Sequence, residues 1–236
     1  MKLNKLLIAW VLITIISLVL IGIKINIGAS LVIAKILAIL SILLYSRSVS
    51  IAIALKISEM LIYMNVLGAN SVVEILILVI GITIRLIMSI KRSWRLGAKG
   101  LGVKLIKEDI PKTISSNSKI ILYSTTILLN IIVSSGVINF GFEVTMIGSM
   151  WVITSLICVI SMVFGISEVY TFGILNSIIY TVILYMSYVI GTYGTDLFSV
   201  ISITLTIMTF IVGLIDYKSI EYKNIQSDSL KYTKID

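Results

Sequence analysis

The chain has 236 residues, 58% of them hydrophobic and 13% charged, with one Pro, one Cys, no His and a formal net charge of +8. Its polar residues are too few to clothe a soluble core and fall in short intervals, which excludes a globular, water-dissolved enzyme. With no His and with Cys158 alone, the chain offers no haem or copper ligand set, no conventional zinc site, no cysteine-held cluster and no internal disulfide, so no cofactor and no metal are expected. Phosphate-cradling GxGxxG and GxxxxGK[ST] motifs and the GxSxG nucleophile elbow are absent too.

A membrane span needs about 20 mostly apolar residues to cross about 30 Å of hydrocarbon, with every backbone polar group satisfied inside the helix. Stretches 6–23, 29–45, 49–67, 72–90, 120–140, 144–165, 170–190 and 197–215 meet that requirement. The expected fold is therefore all-α, a polytopic transmembrane helix bundle of about eight spans. Seven spans result if the third, which carries Lys56 and Glu59, does not cross. Lys2 and Lys5 precede the first stretch, but its length and lack of a small-residue cleavage site mark it as a retained helix rather than a signal.

Charge placement sets the orientation. With both termini cytoplasmic, the inner segments collect Lys2, Lys5, Arg47, the basic interval 91–119 and Lys218, Lys223, Lys231 and Lys234, while the outer segments hold only Lys24. This is the positive-inside pattern of a multi-pass cell-membrane protein, and seven spans would put Lys2 and Lys5 on the wrong side. The chain then divides into a first membrane half (1–90), a basic cytoplasmic loop (91–118), a second membrane half (119–216) and a polar cytoplasmic tail (217–236). The loop has two readings: a plain connection that fixes topology, or a short interfacial helix whose Lys91, Arg92, Trp94 and Arg95 contact the anionic inner leaflet. Because topology accounts for the basic residues, nucleic acid is not an expected partner. No residue-level repeat links the halves. Small residues such as Ser134, Ser135, Gly148 and Ser149 mark close helix packing, and Gly81 and Gly173 are candidates for irregular turns.

An ionised side chain in mid-span costs about 2.5–3.5 kcal/mol on insertion scales, so each one calls for a reason. Lys35 lies near the middle of the second span. Lys56 and Glu59 are three residues apart on the third, on one helical face where they can pair. Together they read either as a hydrated path that relays or gates protons or ions, or as a buried pair that fixes register or docks a partner subunit. Arg85 is close enough to the inner end of its span to snorkel out. Glu74, at the outer end of the same span, needs no special role, and Cys158 is a small buried hydrophobe.

Two stretches resemble the small hydrophobic subunits of membrane-bound hydrogenases and complex I, the component E and K-type family. One runs from Ala69-Asn70-Ser71 through Glu74 to Arg85; the other runs from Val159 through Phe164, Tyr170 and Gly173 to Asn176 and Tyr180, then to Asp196. In that family a short polar turn joins two spans and the second carries an acidic residue in its first turns. Here Phe172-Gly173-Ile174-Leu175-Asn176-Ser177 departs from the pattern by lacking it. The resemblance implies a cofactor-free, non-catalytic subunit of a respiratory or hydrogenase-like electron-transport complex, a scaffold or ion path with a redox-carrying chain as partner. The alternative is a small-solute or ion transporter acting alone in the lipid bilayer. A membrane hydrolase would need paired carboxylates, and Asp196 and Asp216 fall at opposite faces.

Overall fold

The computed structural model describes residues 5–24, 26–67, 72–96, 109–135, 146–189 and 197–232. Eight helices organise them: α1 (Lys5–Lys24), α2 (Ala29–Tyr45), α3 (Val49–Leu67), α4 (Val72–Leu96), α5 (Ser116–Ser134), α6 (Met146–Phe164), α7 (Glu168–Val189) and α8 (Leu197–Tyr232). Among the described residues, six of them are long and apolar enough to cross a membrane, and α2 is an apolar helix of 17 residues. Large apolar side chains cover the outer surface, among them Leu20 (62% exposed), Ile121 (66%) and Ile127 (62%). Such a surface is stable only against lipid tails, so the chain is a multi-pass membrane protein.

The helix ends show why the chain turns where it does. Helix α6 stops at Gly165, whose φ of +67° suits a residue without Cβ. The Ile166 N–H donates to the Ser161 carbonyl (3.0 Å) and the Gly165 N–H to the Met162 carbonyl (3.1 Å), closing the last turn as a Schellman motif. Asn26, at φ 55°, ends α1 in the same conformation. Helix α5 begins earlier than its apolar run suggests, because the Ser115 hydroxyl accepts the Ser118 N–H (3.2 Å) and caps it.

Helices α2, α3 and α4 form one triplet and α6, α7 and α8 another. Within each triplet, neighbours in sequence pack together. Between triplets, α4 packs on α6 and α8 packs on α2, so the six close into a ring. Helix α1 leans on α2 and α8, and α5 leans on α6. The two tight hairpins match: residues 46–48 join α2 to α3, and residues 165–167 join α6 to α7. The halves thus repeat in packing without repeating in residues. The main core lies inside the ring, where Tyr45, Val49, Ala52, Ile53, Leu78, Val169 and Tyr170 are each fully buried.

Three expectations change. The tail does not separate at 217: α8 continues to Tyr232, and Asp216 and Tyr217 are both buried. Gly81 and Gly173 break no helix. Each lies inside its helix, with Val163 packed on the first and the Phe210 ring on the second, so they are points of close approach. Of the basic loop, the stretch holding Lys91, Arg92, Trp94 and Arg95 continues α4; their side chains and residues 97–108, where the interfacial helix is expected, lie outside the described residues, as does Asp196.

Candidate functional site

Lys35 and Glu59 are each 12 residues from Arg47 in the turn of the α2–α3 hairpin. At 1.5 Å per residue that places both about 18 Å up the hairpin, near the middle of a span. The structure brings the three sequence-predicted charges together there. Lys56 Nζ donates to Glu59 Oε2 at 2.8 Å, and Lys35 lies within the field of both. Its ammonium stands 5.6 Å from the centre of the Tyr63 ring, on the stripe formed by Lys56, Glu59 and Tyr63 at helical spacing.

The second triplet supplies polar groups at matching height. Thr154 is 12 residues below the Ile166 turn and Asn176 ten above it in sequence. The Thr154 hydroxyl donates to Asn176 Oδ1 at 2.8 Å, linking α6 to α7. The next residue of α6, Ser155, donates to Glu74 Oε1 of α4 at 2.8 Å, so Glu74 has a structural partner that the sequence did not reveal. Glu74 and Lys56 also interact electrostatically. The result is a polar layer drawn from α2, α3, α4, α6 and α7. The Lys56 side chain keeps 27% of its surface exposed while Glu59 keeps 8%.

Below this layer, toward the basic end, the ring is shut. Tyr45, Tyr170 and Tyr217 pack in series, with centroid spacings of 5.7 and 6.0 Å, and none of the three is more than 2% exposed. The Tyr45 hydroxyl donates to the carbonyls of Ser161 (3.2 Å) and Ile166 (2.9 Å), tying the end of α2 to the α6–α7 turn. Each triplet's last helix also reaches the other triplet's end. From α8, Asp216 accepts two bonds from Arg47 (Nη2–Oδ1 2.7 Å, Nε–Oδ2 3.0 Å) and one from the Ser46 hydroxyl (2.7 Å). From α4, Arg85 donates to the Val163 carbonyl (2.9 and 3.1 Å), so it turns into the bundle rather than snorkelling out.

A strap of chain, residues 109–115, crosses this end and binds both hairpins. Asp109 stands at the start of α3: its carboxylate accepts from the Ser50 N–H, the Ser48 and Ser50 hydroxyls and Arg85 (3.3 Å), and its carbonyl accepts the Val49 N–H (2.9 Å). A carboxylate so placed satisfies orphan donors at a helix N-terminus. Three residues on, the Lys112 N–H donates to the Gly165 carbonyl (2.8 Å) and the Ser167 N–H to the Lys112 carbonyl (3.0 Å). Thr113 then meets the Tyr217 hydroxyl at 2.6 Å. Sequence reading missed Arg47, Asp109 and Asp216 because charges at span ends are ordinary. The pairing of Arg47 with Asp216 spans 169 residues, a separation for which no local pattern exists.

Among the described residues no cluster of His, Cys, Asp and Glu is arranged to hold a metal. Cys158, packed against the main core, donates to the Val169 carbonyl at 3.6 Å. The sequence matches no protein-family profile and no curated protein. The fold is similar to that of one solved protein, in the crystal structure of the vitamin B3 transporter PnuC, with a TM-score of 0.66 over 92% of this chain and 92% of that chain. Identity is 11%, so the likeness is of fold alone. That solved structure is of a vitamin B3 transporter, not of a hydrogenase or complex I subunit.

Proposed function

We propose that the chain is a small-solute transporter that works without a redox-carrying partner, binding its solute in the polar layer between the two triplets. The observation that carries this reading is the position of the layer. Lys35, Lys56 and Glu59 meet near mid-depth, Glu74 interacts with Lys56 from α4, and Thr154 and Asn176 pair at similar height on α6 and α7; ionisable groups so placed mark a solute or ion path. Directly beneath them the ring is blocked by three tyrosines and a buried ion pair. A site closed on one side is what alternating access requires, with the two repeats rocking about it. The likeness in fold to a vitamin B3 transporter supports the same class. The distribution of basic residues supports a cytoplasmic closed end and cytoplasmic termini.

Mild-detergent purification followed by reconstitution tests the reading. The chain is expected to purify without stoichiometric redox chains and, alone in vesicles, to carry out counterflow of a small organic solute. Stable co-migration with haem- or cluster-bearing chains, with no solute movement by the isolated protein, would favour the respiratory or hydrogenase-like subunit instead.

A further inference from the structure

We infer that the transported solute is an organic anion whose carboxylate is held between the Lys35 ammonium and the Tyr63 hydroxyl. The inference rests on the transporter reading and adds the chemical class of the solute. It starts from which charged groups in the layer are already engaged in hydrogen bonds. Glu59 is bonded to Lys56 at 2.8 Å, and Glu74 accepts the Ser155 hydroxyl. Among the described residues Lys35 makes neither a hydrogen bond nor an ion pair. Its contact is with the Tyr63 ring face, which stabilises a cation while leaving its N–H donors uncommitted.

Tyr63 brings the second open group. Its hydroxyl is shielded from solvent and has no hydrogen-bond partner among the described residues, an unfavourable state unless something else supplies the acceptor. A cation and a hydroxyl on adjacent helices, both with donors to spare, suit one carboxylate: two acceptor oxygens and one negative charge. A cationic solute would meet Lys35 and Lys56 together, while the carboxylates that should receive it are engaged. A neutral amide would satisfy Tyr63 but give the Lys35 ammonium no ion pair of its own, because Glu59, in whose field it stands, is bonded to Lys56.

The test is binding of matched acid and amide pairs to the purified full chain: pyridine-3-carboxylate against pyridine-3-carboxamide, and lactate against lactamide, read by calorimetry. At least one acid is expected to bind tenfold or more tighter than its amide. Lys35→Met should erase that preference, Lys35→Arg should keep it, and Tyr63→Phe should weaken the acid severalfold while leaving the amide alone. If Lys35→Met fails to fold, the Lys35→Arg and Tyr63→Phe pair carries the same comparison. Amides that bind as well as acids, an acid preference that survives Lys35→Met, or no binding by either acid would overturn the assignment. Vesicles separate this failure from that of the underlying reading: a chain that moves an amide but no acid remains a transporter and loses the anion, whereas one that moves no solute loses both.

Discussion

Each ionisable side chain inside this bundle has an identifiable reason for its depth, and the reasons differ. Lys56 and Glu59 neutralise one another across one turn of α3; Lys35 faces the same pair from α2 without joining it. Removing one partner should therefore hurt more than removing both. Glu59→Gln leaves two lysines facing each other and is expected to lower unfolding stability by about 1–3 kcal/mol, less than a fully buried pair because Lys56 stays partly exposed. The double change Lys56→Met with Glu59→Met should restore most of that loss in a detergent melt while abolishing solute movement. Recovery of both stability and transport would reduce the pair to a packing device. These three residues were legible in the sequence because a charge within an apolar run is conspicuous. Tyr63 was not, since a tyrosine in a membrane helix is unremarkable until its neighbours are known.

Among the elements, the boundaries of the helices were largely written in the apolar runs, and most fall within a few residues of their expected positions. What the runs could not disclose is which helix touches which. In lipid no solvent contrast marks an inward face, so contacts depend on small residues and on polar bonds that become visible only in three dimensions. Gly173 illustrates this. A methyl group there would collide with the Phe210 ring of α8. Gly173→Ala is expected to cost about 1–3 kcal/mol, as overpacking does, and Phe210→Leu should return part of it. Additive losses in the double variant would show that the α7–α8 contact is looser than described. The strap 109–115 also escaped sequence reading, because its bonds run to main-chain groups of two hairpins far away in the chain.

At the scale of the whole molecule, two triplets close a ring around a polar layer and are fastened together at the basic end. The fastening is an ion pair with little exposure on either side, 8% for Arg47 and 4% for Asp216. Breaking it by Asp216→Ala is expected to destabilise by about 3–5 kcal/mol, because the Arg47 charge is left buried without its counter-charge. Exchanging the pair, Arg47→Asp with Asp216→Arg, should recover a measurable share in the same assay. If the ion pair and the tyrosines beneath the layer form the closed gate, weakening them should also change which side of the membrane reaches the layer. Side-specific thiol labelling in a Cys158→Ala background measures that directly, with the partly exposed Asn176, changed to Cys (Asn176→Cys), as the reporter and a membrane-impermeant maleimide applied to oriented vesicles. Labelling is expected from the side opposite the basic end alone, with reactivity from the basic side appearing once Asp216→Ala is added. Equal labelling from both sides before that change, or none from the basic side after it, would contradict a gated solute site.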